Sequence, residues 1–235
     1  MISGKRVIAA MLTTLMAVTF TANTAVSVYA TGVTATENAQ TIDAQSTDAQ
    51  ALTPEEQKAQ ELQQVYDMPV ESNGYKDWPQ GPGTYGEAGI VMEVGTGAIL
   101  YAKNIDAHEY PASITKVLTA LVALENGQLT DNVTFSHDSV AFLQRGDSSV
   151  GLKEGNVITL DQAMHAMLLA SANEAAYAIG ESVGVNAGHD YNWFIEQMNS
   201  RCKELGGENS NFANTNGLHD PNHYTCARDM ALIGR

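Results

Sequence analysis

The stretch from Tyr110 to Leu124 constrains this chain most, because it predicts a buried helix with two reactive side chains at its start. Pro111 disfavours helix just before it, and apolar residues then recur at helical spacing. The helix should begin near Ala112, which places Ser113 and Lys116 in its first turn. Positions three apart share a helix face, so the lysine amine can reach the serine hydroxyl.

This pair has the chemistry of an activated nucleophile. A serine hydroxyl becomes nucleophilic when a neighbouring base takes its proton, and a lysine can do so if burial and nearby positive charge keep its amine neutral. The free N–H groups and the positive dipole end of a helix start also favour a developing anion. The alternative is a serine near a helix start followed by a solvated lysine. The motif is too short to decide between the two by itself.

The first thirty residues are typical of a secretory signal peptide. A basic pair precedes an apolar run from Val7 to Phe20, and small residues precede a cleavage position after Ala30. The alternative is an uncleaved membrane anchor, because Val7 to Tyr29 could nearly span a bilayer, although its many threonines disfavour that. We expect residues 1–30 to be removed and the mature chain to lie outside the cytoplasmic membrane.

The charge of the chain excludes one class of partner. Its formal net charge is −15, and removal of residues 1–30, whose only charged side chains are Lys5 and Arg6, brings it to −17. A surface this acidic does not favour binding to nucleic acid. The composition, with 44% hydrophobic and 17% charged residues, is ordinary for a globular protein.

Residues 31–84 are predicted to be a flexible tether with one short polar helix. The segment from Thr31 to Gln50 has almost no large apolar residue and cannot bury enough surface to order itself. A capping box at Thr53 opens a polar helix to about Tyr66, and an irregular stretch rich in proline and glycine follows it. The folded domain is therefore predicted to span residues 85–235.

The domain should open with a β-hairpin. Residues 89–93 and 98–103 are apolar, β-rich runs on either side of a glycine turn. Shorter features follow it, with a possible strand at Val133 to Ser136 and a helical turn near Val140 to Leu143. A capping box at Thr159 then begins another apolar helix.

That helix leads to Ser171-Ala172-Asn173, and a second helix, Glu174 to Val183, follows directly. In an extended connector, Ser171 and Asn173 would point to the same side, where hydroxyl and amide could face a cleft together. The alternative is that the two residues merely cap the following helix.

The remaining residues suggest neither a metal nor a cofactor. The six histidines show no metal-binding spacing. Cys202 lies on an amphipathic helix from Tyr191 to Leu205, and Cys226 precedes a last helix that we expect Thr225 to cap. The two cysteines could pair as a disulfide or be small buried core residues, and spacing alone leaves both open.

Several motifs in a fixed order resemble one known family, the serine D-alanyl-D-alanine carboxypeptidases, which are low-molecular-mass penicillin-binding proteins. The resemblance covers roughly Gly89 to Ile233. A serine enzyme family with Ser-x-x-Lys and a second Ser-x-Asn fits this order. The matching motifs are Tyr-Pro-Ala-Ser-x-Thr-Lys at 110–116, Ser-Ala-Asn-Glu-Ala-Ala at 171–176, Met198-Asn199, Asn-Gly-Leu at 216–218 and Tyr-Thr-x-Ala-Arg-Asp at 224–229.

The resemblance implies a fold and a reaction. The fold would be α+β, similar to β-lactamases and DD-peptidases, with a helical core packed on an antiparallel sheet. Ser113 would attack a peptidoglycan stem peptide with Lys116 as base, Ser171 would pass the proton to the departing D-alanine, and Asn173 would hold the substrate amide. Such an enzyme forms a covalent acyl-enzyme and is inhibited covalently by β-lactam antibiotics.

One departure from the family concerns its third motif, Lys-Thr-Gly, which does not occur in this sequence. In the family that strand supplies a cation and half of the oxyanion hole. We therefore expect an incomplete sheet and a gene that continues beyond Arg235, and we expect the 235-residue chain alone to fold poorly and be inactive. Family members often carry a C-terminal amphipathic anchor, so peripheral membrane association is a further expectation.

Two rival functions share these motifs. A β-lactamase would need an additional carboxylate that activates water, and no clear candidate stands near the motifs in the sequence. A catalytically degenerate module that only binds the cell wall would keep the fold without the chemistry, and the missing third motif favours it.

Overall fold

The structure, a computed structural model, describes residues 52–235. The predicted signal peptide and the first part of the predicted tether lie outside these residues. The strands are β1 (Gly89–Met92), β2 (Ile99–Lys103), β3 (Asn132–Thr134) and β4 (Val157–Thr159). The helices are α1 (Pro54–Tyr66), α2 (Thr115–Asn126), α3 (His137–Ala141), α4 (Leu160–Leu169), α5 (Asn173–Asn186), α6 (Tyr191–Glu204) and α7 (Ala227–Gly234).

Helix α5 is the centre of the core, with α2, α4, α6 and β3 packed around it. Its inward residues are small, which lets the neighbouring helices approach closely, and most of its length is buried. Gly180 illustrates how close the packing is, because a Cβ there would lie 2.8 Å from the Thr215 side chain. The large core residues come from the surrounding elements and include Leu118, Val122, Phe135, Leu160, Met167, Phe194 and Met198. Their burial supplies the main hydrophobic stabilisation.

Strands β1 and β2 form the predicted antiparallel hairpin, with Gly89 opposite Lys103 and an irregularity at Val91 and Met92. Helix α7 packs against β1. A second antiparallel pair, β3 with β4, was only half predicted, because β4 has three residues and no alternating pattern long enough to recognise. In the described residues the elements are thus helices with two small antiparallel sheets, as expected for an α+β chain.

The stretch before the hairpin is less free than the sequence suggested. Lys103 is fully buried, and its ammonium donates to the carbonyl oxygens of Val65 and Thr84 at 2.6 Å each. The buried Ser72 hydroxyl also accepts a hydrogen bond from the Ala102 amide. Residues 65–84, which we assigned to the tether, therefore lie against β2. The physical reason is the cation on β2, which gains partners only from this stretch of backbone.

Local capping was predicted well at two helices and wrongly at a third. Both capping boxes, at Thr53 and Thr159, are present. The cap of α7 is Cys226, whose sulfur accepts from the Asp229 amide at 3.4 Å, whereas the Thr225 hydroxyl bonds to Ser210. Cys202 and Cys226 are both free thiols and both buried. They are therefore small core residues and not a disulfide pair. No helix of the described part is long and apolar enough to cross a membrane.

A buried histidine joins the loop after α6 to the start of α2. The Nδ1 atom of His223 accepts from the Ala213 amide at 3.0 Å, so Nε2 carries the proton and donates to the Thr115 hydroxyl at 2.8 Å. Burial lowers the pKa of His223 from its ordinary 6.5 to about 4, against a smaller opposing effect of Asp220. The imidazole is therefore neutral in the folded protein at neutral pH.

This histidine should make the protein less stable in acid. Because its folded pKa lies below the unfolded value of 6.5, its stabilisation is complete above pH 6.5 and is lost as pH falls toward 4. Between pH 7 and pH 4.5 the wild type should lose about 2 to 3 kcal/mol more unfolding free energy than His223→Gln. Urea unfolding of the full-length gene product at both pH values measures this. His137→Gln, which removes an exposed histidine, is the control and should behave as wild type. Equal losses in wild type and His223→Gln would contradict the prediction.

Candidate active site

The start of α2 brings Ser113 and Lys116 together as predicted, with one difference in local structure. Residues Ala112–Ile114 form a 3₁₀ turn, and α2 itself begins at Thr115, so Ser113 precedes the α-helix. The spacing of three residues still places the Lys116 ammonium 3.0 Å from the Ser113 hydroxyl oxygen. Ser113 is exposed to solvent, whereas Lys116 is only 2% exposed. The serine hydroxyl is therefore accessible to solvent and the lysine amine is shielded from it.

Lys116 has three hydrogen-bond partners, and their chemistry fixes how it can act. Besides Ser113, its nitrogen donates to the Asn173 side-chain oxygen at 2.9 Å and to the Asn216 carbonyl oxygen at 2.7 Å. A neutral amine keeps two N–H donors, which the two asparagine oxygens can hold. Its lone pair then points at Ser113. The two asparagines thus orient the amine as an acceptor for the serine proton.

The electrostatics of Lys116 differ in part from the expectation. Burial lowers the pKa of Lys116 from 10.5 to about 8, and the nearby charge of Glu174 opposes that shift. We expected a nearby positive charge to lower the pKa of Lys116 further, but its charged neighbour is a carboxylate. Desolvation alone therefore makes a neutral amine accessible close to physiological pH.

Ser171 and Asn173 both lie at this site, although not on an extended connector. Ser171 adopts a left-handed backbone with φ of 55°, and Asn173 is the first residue of α5. The Ser171 hydroxyl donates to the Ser113 oxygen at 2.8 Å. The four predicted residues therefore form one continuous hydrogen-bonded chain, Ser171 to Ser113 to Lys116 to Asn173.

Sequence reasoning assigned no function to Asn216 and Gly217, which complete the site. Gly217 has φ of 83°, and a Cβ there would lie 1.8 Å from the carbonyl oxygen of Ala112. Ala112 itself is left-handed, with φ of 48°, an uncommon conformation for a residue with a side chain. The contact between these two backbones positions the residue just before the nucleophile. The sequence signals for it were an Asn-Gly turn and the Asn-Gly-Leu motif at 216–218, neither of which indicates the contact with Ala112.

Ser113 and Asn173 open into a cleft of about 210 Å³. A larger cavity of about 560 Å³ adjoins it and shares Asn216 and Leu218, but the nucleophile lies in the smaller one. In residues 52–235 no group of three or more His, Cys, Asp or Glu side chains is placed to hold a metal ion. The cleft is lined by Ala112, Ser113, Gly146, Asp147, Ser148, Asn173, Asn216, Gly217 and Leu218.

Replacement of Gly217 by alanine should disable the site. The new Cβ would collide with the Ala112 carbonyl oxygen and push Ser113 away from Lys116. We expect destabilisation of about 1 to 3 kcal/mol and a loss of at least about tenfold in the rate at which Ser113 reacts with an acylating probe. Gly155→Ala is the matched control, because Gly155 has φ of 82° but open space around its Cβ position. Gly155→Ala should react at the wild-type rate, and a Gly217→Ala variant that reacts as fast would contradict the prediction.

A serine hydroxyl hydrogen-bonded to a buried lysine amine, with a second serine and an asparagine beside it, is an arrangement typical of serine acyl-transfer sites in which lysine is the base. The chain belongs to the D-alanyl-D-alanine carboxypeptidase family, peptidase family S11, whose profile matches residues 79–235.

Individual relatives agree with this assignment. The chain is 35% identical over 150 residues to the D-alanyl-D-alanine carboxypeptidase DacA of Haemophilus influenzae, covering 62% of this chain and 37% of that protein. It is 32% identical over 154 residues to DacF of Bacillus subtilis, covering 63% and 38%. The chain thus spans less than half the length of these relatives.

Solved structures of the family share the fold. Penicillin-binding protein 5 from Haemophilus influenzae superposes with a TM-score of 0.59 at 32% identity, covering 66% of this chain and 46% of that one. The Streptomyces K15 DD-transpeptidase superposes with a TM-score of 0.56 at 30% identity, covering 61% of this chain and 57% of that one. The structures confirm the predicted DD-peptidase-like α+β fold.

Proposed function

We propose that this protein is a serine D-Ala-D-Ala carboxypeptidase that removes the terminal D-alanine from peptidoglycan stem pentapeptides. The observation that carries the proposal is the orientation of Lys116, whose asparagine partners leave its lone pair facing Ser113. Family membership supports the substrate, because the relatives that the chain matches carry this activity in their names.

Acylation follows from the hydrogen bonds. The Ser113 proton passes to the Lys116 lone pair while the serine oxygen adds to the carbonyl carbon between the two D-alanines. Collapse of the tetrahedral intermediate breaks the C–N bond. Ser171, which lies beside Ser113, gives its proton to the departing amine, and the Lys116 ammonium returns a proton directly to Ser171, because the esterified Ser113 oxygen carries none to relay. The products are free D-alanine and an ester on Ser113, and no proton is left over.

Deacylation reverses the roles with water as the nucleophile. The neutral amine of Lys116 takes a proton from water, hydroxide adds to the ester carbonyl, and the Ser113 oxygen leaves with that proton. Asn173, fixed at the first residue of α5, is the group that holds the substrate amide during both halves of the reaction. β-Lactams would enter at the first step and remain as a penicilloyl ester.

The first test of this mechanism is covalent labelling. A fluorescent penicillin should modify Ser113 of the full-length gene product, as mapped by mass spectrometry. Ser113→Ala should abolish the label, and Lys116→Ala should slow it by about three orders of magnitude or more, because the base is lost. Ser200→Ala, which changes an exposed serine on α6, is the control and should label normally. A label on any other residue, or none on the wild type, would refute the mechanism.

Two further measurements separate the carboxypeptidase from its rivals. A β-lactamase would turn over nitrocefin rapidly, whereas we expect a long-lived adduct, since a carboxypeptidase hydrolyses the penicilloyl ester slowly. A degenerate wall-binding module would release no D-alanine from a pentapeptide, whereas we expect one D-alanine to be released for each pentapeptide that is cleaved. These outcomes are independent of each other, so each rival can be excluded alone.

The proposed site of action is outside the cytoplasmic membrane. The proposal rests on the basic and apolar pattern of residues 1–30, and on a peptidoglycan substrate that lies outside the cell membrane. Peripheral membrane association through a C-terminal amphipathic anchor, which the resemblance to the family implies, is part of the same proposal.

Exported protein should begin at Thr31, because the small residues before it suit a signal peptidase. N-terminal sequencing of protein recovered from the wall or medium checks this. Tyr29→Trp, which leaves Val28 and Ala30 as the small residues of the cleavage site, is the control and should be cut at the same place, while Ala30→Trp should block cleavage. Recovery of chains that retain Met1 in the membrane pellet would favour the uncleaved anchor.

A further inference from the structure

Glu174 is a fully buried acidic side chain beside the proposed active site, and the mechanism above does not use it. It follows Asn173 in the first turn of α5. One carboxylate oxygen, Oε1, accepts three hydrogen bonds, from the Ser149 hydroxyl at 2.7 Å and from the amides of Val150 and Gly151 at 2.8 and 3.2 Å. The other oxygen, Oε2, is buried without a hydrogen-bond partner in the described residues.

The loop that Glu174 binds forms a wall of the Ser113 cleft. Gly146, Asp147 and Ser148 line that cleft, and the Ser148 carbonyl oxygen accepts from the Asn173 amide at 2.9 Å. Two consecutive residues of α5 therefore hold this loop, Asn173 by its backbone and Glu174 by its side chain. Asn173 also binds Lys116. The loop, the base and the first turn of α5 are thus mechanically connected.

Glu174 is also the charged group that raises the pKa of Lys116 against the effect of burial. The other partners of the amine, Ser113, Asn173 and Asn216, are neutral. Among the elements packed on α5, the charged side chains of α3 (His137, Asp138) and α4 (Asp161, His165) are exposed. On α6, Arg201 is in ion pairs with Glu125 of α2 and with Glu204, and the other charged residues, Glu196 and Lys203, are exposed.

We propose that Glu174 is a positioning residue with two separable effects: Oε1 anchors the 148–151 loop, and the negative charge stabilises the ammonium that forms on Lys116 when Ser113 is acylated. The kinetic part rests on the proposed function. The unpartnered Oε2 is consistent with it, because a buried carboxylate oxygen without a hydrogen bond is costly unless a nearby positive charge compensates. The cation that forms on Lys116 is such a charge.

Two substitutions separate these effects. Glu174→Gln keeps an oxygen for the three loop donors and removes the charge, whereas Glu174→Asp keeps the charge but is one methylene too short to reach the loop. Glu181→Gln removes the same charge two turns further along α5 and is the matched control. Circular dichroism of each variant establishes that it is folded. If Glu174→Gln does not fold, Glu174→Asn replaces it in the titration and is compared with Glu174→Asp, from which it differs only in the charge.

The first readout needs no enzymatic activity. Lysine labelled with ¹³C at Cε is titrated by NMR in the full-length gene product, and the Lys116 signal is assigned with Lys116→Arg. The wild-type midpoint should lie at about 8. In Glu174→Gln it should fall by about one unit, while Glu174→Asp and Glu181→Gln stay within a few tenths of wild type. An unchanged midpoint in Glu174→Gln overturns the electrostatic effect.

The second readout is amide hydrogen exchange at Val150 and Gly151. Exchange should remain slow in Glu174→Gln and become at least about tenfold faster in Glu174→Asp, because the loop amides lose their acceptor. Equal protection in both variants overturns the anchoring effect. A role limited to structure would change exchange without moving the lysine titration.

The pH profile of acylation by penicillin joins the two effects to function. In wild type the rate should rise with pH through about 8, because the base must be neutral. In Glu174→Gln this rise should shift down by the same amount as the NMR midpoint, and the limiting rate should fall by up to about tenfold, the factor that corresponds to one pKa unit. An unshifted profile with a normally labelled Ser113 overturns the inference and leaves the proposed function standing. Absence of wild-type labelling refutes the proposed function, while NMR and exchange still decide the role of Glu174.

Discussion

The site depends on one buried amine. A lysine ammonium that is 2% exposed would be costly to bury alone, and here three oxygens from three parts of the chain accept hydrogen bonds from it. Those oxygens belong to Ser113, Asn173 and Asn216, which lie up to 103 residues apart in the sequence. Correct packing of α2, α5 and the loop after α6 is therefore a condition for satisfying the amine. The same condition assembles the nucleophile, so the stability of the core and the geometry of the site rest on one group.

What the sequence predicted was mostly local. Pro111 and the apolar spacing after it located α2, and the capping boxes at Thr53 and Thr159 located two more helix starts within a residue. These signals work because each is a contact between residues three or four apart. The pairing of Ser113 with Lys116 is of the same kind. The hairpin was also visible, since its glycine turn joins strands that are neighbours in sequence.

The features that escaped prediction depend on contacts at long range or on close local competition. Asn216 reaches Lys116 across 100 residues, and no pattern in its own surroundings indicates that its carbonyl oxygen will be used. Glu174 directly follows the Ser-x-Asn motif, but the loop residues that it binds lie 23 to 25 residues before it, so the sequence did not indicate this contact. At the start of α7, Thr225 and Cys226 could each cap the helix. The Thr225 hydroxyl is hydrogen-bonded to Ser210, so Cys226 is the cap. The left-handed backbone of Ser171 likewise follows from its place in the site and not from its residue type.

The cation of Lys103 has a consequence for what precedes the domain. Its bond to the Val65 carbonyl oxygen fixes the last turn of α1 to the hairpin, while α1 itself has no buried residue along its 13 residues. A helix of that length is a rod of about 20 Å. It is hydrated along its sides and held at its last turn. The direction in which α1 leaves the hairpin is therefore set by one buried cation and the backbone oxygens that surround it.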